Sequence, residues 1–213
     1  TIDRDERGIF LKSLVVVKVP DRGGPVPLAM VRKRSAVVEE TRAPVLLIHG
    51  WEGRGSQLGA LALAIAEAGL RPVTVDLPAH GSSQGARTNL VEFAEATESM
   101  IERLGGVAGV VAHSFGAAGV TVALRRRLPV ERVAYLAPAE DFEHYPRVFG
   151  EWRGLPGPLR ERMRDHVESR IGIAMAELRG RLLAPSMRIP LLVVHDEDDV
   201  DVPWTDGKTY AQV

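Results

Sequence analysis

Short apolar segments alternate with longer amphipathic ones over most of this 213-residue chain. Continuous apolar runs are typical of strands that are buried on both faces of a sheet, and the segments between them are long enough for helices. The strand-like runs are residues 45–48, 72–75, 107–111, 133–136 and 191–194, and the helix-like segments are residues 57–68, 90–104 and 115–128. This alternation predicts an α/β fold with a mostly parallel, doubly wound sheet that helices cover on both faces.

Two further apolar runs precede this alternation. Residues 10–19 and 26–34 are rich in strand-forming side chains, and the segment between them, residues 20–25, carries two prolines and two glycines. A segment of that kind is typical of a turn, so the two runs predict an antiparallel N-terminal hairpin. The length of the chain fits one domain that spans residues 1–213.

Residues 139–187, which follow the sixth predicted strand, form a connection far longer than is usual between a strand and its helix. They contain two apolar patterns with helical spacing. The patterns consist of Phe142, Tyr145, Phe149 and Trp152, and of Leu159, Met163, Val167 and Ile171. We therefore predict an inserted helical cap in which both stripes are buried. The aromatic stripe either anchors the cap to the body of the domain or lines an apolar substrate pocket.

Composition excludes several classes of partner and chemistry. The chain has 27 lysines and arginines against 28 acidic residues, so its charge gives no reason to expect nucleic acid as a partner. It has no cysteine, which excludes disulfides and thiolate catalysis and suits a cytoplasmic location. The polar N-terminus is not typical of a secretory signal, and no uninterrupted apolar run reaches about eighteen residues, so no membrane span is expected.

A serine lies between a predicted strand and a predicted helix, in the sequence Ala112-His113-Ser114-Phe115-Gly116. This is a variant of the G-x-S-x-G pattern, in which the strand-to-helix turn exposes a nucleophilic hydroxyl. Such a turn needs small side chains two residues on either side of the serine, and Ala112 adds only a methyl group to the usual glycine. Ser114 is therefore a candidate nucleophile.

Four motifs in a fixed order resemble the α/β-hydrolase superfamily, over about residues 44–203. Each follows a predicted strand, and the ordered set is far more specific than any single motif. The motifs are His49-Gly50-Trp51, Asp76-x-Pro-x-His80-Gly81-x-Ser83, His113-Ser114-Phe115-Gly116 and His195-x-x-x-Asp199-x-x-x-Pro203. The resemblance implies an α/β-hydrolase fold.

The same resemblance implies a role for each matched residue. Ser114 is expected to be the nucleophile, and Asp199 the acid that orients a histidine base. The backbone N–H groups of Trp51 and Phe115 are expected to form the oxyanion hole. Simple packing is the alternative role for Trp51. No cofactor and no metal are expected.

Two other residues compete with Asp199 for the role of the acid. Asp198 precedes it in a run of four acidic residues, but only Asp199 lies four residues before Pro203, as in the superfamily's pattern. Some members carry the acid one strand earlier, which would place it at Asp141. The alternative role for Asp141 is to cap the helix that follows it. Calcium binding by the acidic run is disfavoured because the run lacks the regular ligand spacing and the glycine of a calcium loop.

The expected catalytic histidine is missing from its place. In this superfamily the base follows the acid, yet all the histidines precede Asp199. They are His49, His80, His113, His144, His166 and His195. The superfamily's last strand and helix are missing too. We therefore expect a longer natural chain, by roughly 40 to 60 residues, with the base in that extension, and the 213-residue chain alone to be nearly inert. A cap histidine, His144 or His166, is the alternative base.

The leading hypothesis from the sequence is a serine hydrolase that acts on a small carboxylic ester or a related acyl substrate. Thioester and C–C bond hydrolysis use the same residues and stay open. The alternative is a noncatalytic, receptor-like relative that binds an apolar small molecule under the cap. A third hypothesis, an interaction module that uses the arginines of the cap, is disfavoured because acidic residues are interleaved with them.

Overall fold

The computed structural model describes residues 15–18 and 44–212, and a six-stranded sheet forms its centre. The strands are β1 (Val15–Lys18), β2 (Pro44–Ile48), β3 (Arg71–Asp76), β4 (Gly109–His113), β5 (Val133–Leu136) and β6 (Leu191–Val194). Their order across the sheet is β1-β3-β2-β4-β5-β6, and each neighbouring pair is parallel. The mostly parallel sheet predicted from the apolar runs is confirmed.

The predicted N-terminal hairpin is only partly described. β1 covers four residues of its first run and pairs in parallel with β3. The second run, residues 26–34, lies outside the described residues. The antiparallel hairpin therefore stays a prediction.

Helices cover both faces of the sheet. The first three are α1 (Gly59–Glu67), α2 (Leu90–Arg103) and α3 (Phe115–Ala123). Adjacent residues of β2 point to opposite faces, as strand geometry requires. Leu47 is buried in a cluster with Ala62 of α1, whereas Leu46 is buried in a cluster with Phe93 of α2. The sheet is thus the middle layer of three.

The strand order determines where the loops meet. From β2 the chain runs to β3 on one side and then returns to β4 on the other side. Ile48 of β2 lies opposite Ala112 of β4, so the loops that follow these two residues are neighbours at the carboxyl edge of the sheet. Ligands of doubly wound sheets bind at such a reversal of strand order.

The long segment between β5 and β6 is mainly helical. It contains α4 (His144–Trp152), α5 (Gly157–Ile171) and α6 (Gly180–Leu183), with a 3-10 turn at Met175–Leu178. α4 and α5 coincide with the two predicted amphipathic stripes. Phe142, Met175 and Leu178 are buried in one cluster with Ala118 of α3, which fastens the segment to the body of the protein. Its role as a cap over the site, with the bounds 139–187, stays a prediction.

The aromatic stripe is not buried along its whole length. Phe142 is buried, but Phe149 is 51% exposed and Trp152 is 75% exposed. α4 instead turns Gly150 towards α5, where a Cβ atom on this glycine would lie 2.9 Å from the aliphatic stem of Arg160. The prediction of buried stripes is therefore wrong for Phe149 and Trp152, and also for Leu159 of the second stripe, which is 45% exposed.

α7 (Trp204–Ala211) follows β6 and covers the end of the core. Its Tyr210 is buried against Tyr135 of β5, with 5.3 Å between the ring centroids. On β6 the side chains of Leu192 and Val194 are more than half exposed. Within the described residues, no helix combines the length and the apolar character that crossing a membrane requires.

Candidate active site

Ser114 occupies a strained turn between β4 and α3. Its backbone angles are φ 52° and ψ −122°, a region that residues with a side chain rarely adopt. The turn is held from both sides, because the N–H of Ser114 donates to the carbonyl oxygen of Leu136 over 2.9 Å and its own carbonyl accepts from Ala117 over 3.0 Å. The predicted strand-to-helix turn is thus present, with Ser114 at its tip.

The small residues around Ser114 are required by close backbone contacts. A Cβ atom on Gly116 would overlap the carbonyl oxygen of His49, and one on Gly50 would lie 3.1 Å from the Cβ atom of Ser114. Ala112 is completely buried. The glycines therefore allow the loop after β2 to lie directly against the serine turn.

Trp51 and Phe115 lie side by side next to this contact. Their ring centroids are 5.1 Å apart. In the hydrogen-bond network of residues 44–212, the backbone N–H groups of Trp51 and Phe115 have no acceptor. The N–H of Phe115 also belongs to the first residue of α3, where the helix dipole favours negative charge. Two free donors thus adjoin the Ser114 turn.

The Trp51 side chain covers a cluster of rings. Besides Phe115 it contacts His80 and Phe93, with centroid distances of 5.5 and 6.4 Å, and it remains 52% exposed. The Trp51 ring therefore packs against its neighbours, as the alternative role predicted. This role is compatible with a separate function of its backbone N–H.

Two histidines hold the loops after β2 and β3 in place. Nδ1–H of His49 donates to the carbonyl oxygen of Gly50 over 2.7 Å, while its Nε2 accepts from the N–H of Leu77 over 3.0 Å. His80 is bonded in the same manner, donating to Pro78 and accepting from Glu52. Burial lowers the pKa of His49, which keeps it in the neutral form that this network needs.

Asp76 joins the same two loops, a role that the sequence did not reveal. Its carboxylate accepts from the N–H of Gly55 over 2.7 Å and from that of Ser82 over 2.8 Å, and it is almost completely buried. Gly81 adopts a positive φ of 54°, and a Cβ atom there would overlap the carboxylate. Asp76 is thus a structural residue of the site.

Asp199 lies in the loop after β6 and is more tightly held than Asp198. One of its carboxylate oxygens accepts from the N–H groups of Val202 and Asp201, both over 2.9 Å. The bond from Val202 is the main cause of its lowered pKa, and the charges of His195 and His113 also contribute. The Asp198 side chain is exposed. Two backbone hydrogen bonds thus orient the Asp199 carboxylate.

Asp141, the other candidate acid, has local partners. Its carboxylate accepts from the N–H of Glu143 over 3.0 Å, in the turn that leads into α4. It also lies 3.4 Å from Nε of Arg179. Asp141 thus holds the turn before α4, but the N-cap residue of that helix is Glu143 rather than Asp141.

None of the six histidines forms a hydrogen bond with the Ser114 hydroxyl in the described part of the chain. His49 and His80 use both ring nitrogens in the loops. Nε2 of His195 donates to the carbonyl oxygen of Val202 over 2.9 Å and lies 3.8 Å from the Asp199 carboxylate. His195 therefore stabilises the loop after β6 that contains Asp199. His144 of α4 receives a hydrogen bond from Arg147 over 3.3 Å, and His166 of α5 is exposed. The base of a triad is thus not assembled by these residues.

Tyr145 and Asp206 are two partly buried side chains with raised pKa values that the sequence did not single out as site residues. The Tyr145 hydroxyl of α4 is buried and has no hydrogen-bond partner among the described residues. Burial raises its pKa, and the negative charges of Asp206 and Asp199 raise it further. Asp206 of α7 accepts from the N–H of Glu140 over 2.9 Å, and its own pKa is raised by burial. In the sequence, Tyr145 was only one member of an aromatic stripe.

Within residues 44–212, no group of three or more histidine, aspartate or glutamate side chains is arranged to hold a metal ion.

A parallel α/β sheet with a serine on a strained turn after β4 and an acid after β6 defines the hydrolase class of doubly wound folds. Residues 45–211 match the sequence profile of the alpha/beta hydrolase family, so the chain belongs to this family. The match covers most of the chain and includes all four motifs. Comparison with curated proteins gave no match.

Solved structures of hydrolases share this fold. A monoacylglycerol lipase from Paleococcus ferrophilus is 21% identical with a TM-score of 0.61, and the match covers 79% of each chain. An esterase from Rhodococcus sp. is 20% identical with a TM-score of 0.53, over 82% of this chain and 79% of the esterase. An alpha/beta hydrolase from Sphaerobacter thermophilus is 19% identical with a TM-score of 0.54, over 80% of each chain. At these identities the likeness concerns the fold.

Proposed function

We propose that this protein is a serine hydrolase that cleaves a small carboxylic ester or a related acyl substrate through an acyl-enzyme on Ser114. The observation that carries the proposal is the strained Ser114 turn with the free N–H groups of Trp51 and Phe115 beside it. A strained backbone at this position is the kind of feature that functional sites retain. A role in packing alone would not require a polar side chain at the tip of the turn.

In the first step the Ser114 hydroxyl attacks the acyl carbon while a base removes its proton. The carbonyl oxygen becomes an oxyanion, which accepts hydrogen bonds from the backbone N–H groups of Trp51 and Phe115. Removal of one such donor typically lowers turnover by about 100 to 1,000 fold. The protonated base then passes its proton to the leaving alcohol, and the acyl group stays on Ser114.

In the second step water attacks the acyl-enzyme with help from the same base, and Ser114 is regenerated. Asp199 would orient this base and stabilise its protonated form, as the acid of a triad does. The N–H groups of Val202 and Asp201 support the role, because they hold the Asp199 carboxylate in one orientation. Among the described residues the proposal assigns the nucleophile, the acid and the oxyanion donors.

Two of the structural neighbours are named as a lipase and an esterase, which agrees with an acyl substrate for this protein. At about 20% identity these names do not indicate which acyl compound is cleaved. Ester, thioester and C–C bond cleavage all use this arrangement, and the cytoplasmic location also stays a prediction.

Within the described residues, no histidine is hydrogen-bonded to the Ser114 hydroxyl, and this observation also supports a second candidate function. A protein of this fold without a paired base could bind an apolar small molecule beside Phe115 and Phe142, whose rings are 4.9 Å apart. A fluorophosphonate probe, applied to the full-length protein, separates the two candidate functions because it reacts with an activated serine. A hydrolase gives a covalent adduct that the Ser114→Ala variant loses. Tight binding of an apolar ligand without any adduct supports the binding protein instead.

A further inference from the structure

A cavity of about 380 Å³ lies between α4, α5 and the segment around residues 175–179. Its volume is within the range of small-molecule sites. Four arginines contribute to its wall: Arg147 of α4, Arg160 and Arg164 of α5, and Arg179. The residues of the proposed catalytic site are not part of this wall. The cavity is therefore a second concave site with its own chemistry.

Two of these arginines have unused hydrogen-bond donors. A guanidinium group carries five N–H donors. Arg160 donates from one terminal nitrogen to Glu151 over 3.0 Å, and Arg179 donates from one to Glu143. The Nε atom of Arg160 is buried without a hydrogen-bond partner among the described residues, whereas Nε of Arg179 lies 3.4 Å from the Asp141 carboxylate. Buried donors without acceptors are unfavourable, and a bound acceptor would relieve them.

The wall carries four arginines against three acidic residues, Asp141, Glu143 and Glu161, which leaves one positive charge in excess. Asp141 and Glu143, two of the three wall acids, are both paired with Arg179. Arg147 and Arg160 share a single carboxylate, that of Glu151, at 3.1 and 3.0 Å. Glu151 is half-exposed and is not itself part of the wall. One carboxylate thus serves two guanidinium groups at the edge of the cavity.

We propose that this cavity binds a small molecule that carries a phosphate or carboxylate group. Arg160 and Arg147 are the principal hydrogen-bond donors to that anionic group. The planar guanidinium group matches both oxyanions because two parallel N–H groups can meet two oxygens. Glu151 acts as an internal competitor, since it occupies the same two arginines when no ligand is bound.

Isothermal titration of the 213-residue protein with inorganic phosphate tests the proposal, with sodium chloride adjusted to keep the ionic strength constant. We expect saturable binding that weakens about tenfold or more in Arg160→Met, which keeps the aliphatic stem that lies against Gly150. Glu151→Gln should bind more tightly than the wild type because the competing carboxylate is gone. Titration with succinate in place of phosphate then shows which oxyanion the cavity prefers.

Arg162→Met is the matched control. Arg162 lies on the same helix and is exposed, but it does not line the cavity. Its removal changes the net charge by the same amount and should leave phosphate binding unchanged. Absence of saturable binding to the wild type, or equal weakening in the Arg160 and Arg162 variants, would overturn the proposal. Ser114→Ala should bind phosphate as the wild type does, so failure of the proposed catalytic function leaves this test intact.

Discussion

Gly116 of α3 lies directly against the backbone of His49, at the end of β2. A Cβ atom on Gly116 would overlap the His49 carbonyl oxygen and would lie 2.8 Å from the Ile48 side chain. Gly116 is two residues after Ser114, and His49 is two residues before Trp51. This one contact therefore fixes the distance between the proposed nucleophile and the proposed oxyanion loop.

Gly116→Ala should destabilise the protein and disturb the site together. Because the opposing atom belongs to the backbone, no side-chain rotation can relieve the overlap, and we expect a loss of about 1–3 kcal/mol in the free energy of unfolding. Urea denaturation measures this loss. Gly157→Ala is the control, because a Cβ atom at Gly157 would meet no atom within 4 Å. Equal stability of the two variants would show that the contact at Gly116 is not restrictive.

Acidification should weaken the fold through His49. Burial lowers the pKa of His49 in the folded protein, so the unfolded chain takes up a proton at a higher pH than the folded protein does. The free energy of unfolding should therefore decrease as the pH falls below about 6.5, the usual value for histidine. Burial also lowers the pKa of His113, so protonation of His113 should likewise decrease the free energy of unfolding at acidic pH.

Urea denaturation at a series of pH values checks this dependence. His49→Gln should be less stable at neutral pH and should lose less stability on acidification than the wild type. His166→Gln, at an exposed position of α5, should retain the pH dependence of the wild type. A wild-type stability that is constant between pH 7 and about 5 would contradict the assignment of His49 as a neutral buried group.

The choice between Asp198 and Asp199 can be tested by paired substitutions. In serine triads, loss of the acid's charge lowers turnover by about 10,000 fold. In the full-length protein, Asp199→Asn should therefore slow fluorophosphonate labelling of Ser114 by a large factor, whereas Asp198→Asn should change the labelling rate by less than about tenfold. Labelling rates from intact-protein mass spectrometry give the comparison. The reverse order would make Asp198 the acid.

Tyr145→Phe and Tyr135→Phe should have opposite effects on stability. The Tyr145 hydroxyl is buried without a partner in the described residues, so its removal should be neutral or stabilising by up to about 1 kcal/mol. The Tyr135 hydroxyl lies 2.8 Å from the Thr121 hydroxyl, and its removal should cost about 1 kcal/mol. Urea denaturation of both variants measures the difference. A comparable loss in Tyr145→Phe would show that its hydroxyl has an acceptor after all.

The sequence predicted the parts of the fold that depend on local pattern. The apolar runs match five strands of the sheet, from β2 to β6, because strands buried on both faces show little beyond apolar character. The Ser114 turn was also predictable, since it follows a strand directly and needs small residues at fixed distances. The N-terminal hairpin and the position of the base were not tested by the described residues.

The features that the sequence did not reveal depend on contacts between distant residues. Burial of the Tyr145 hydroxyl depends on which distant residues pack against α4, and no spacing within α4 reports them. The exposure of Trp152 has the same origin, because helical spacing gives the face of a side chain but not whether another element covers that face. The role of Asp76 depends on Gly55, 21 residues earlier in the chain.

The central claim is that Ser114 is a nucleophile whose oxyanion is bound by the backbone N–H groups of Trp51 and Phe115. A crystal structure of the full-length protein after reaction with a fluorophosphonate tests it most directly, because the phosphonyl oxygen of the adduct represents the oxyanion. We predict a covalent bond from Ser114 Oγ to phosphorus, with that oxygen at roughly 2.7–3.1 Å from both backbone nitrogen atoms. An unmodified Ser114, or an adduct whose oxygen points away from both N–H groups, would contradict the account.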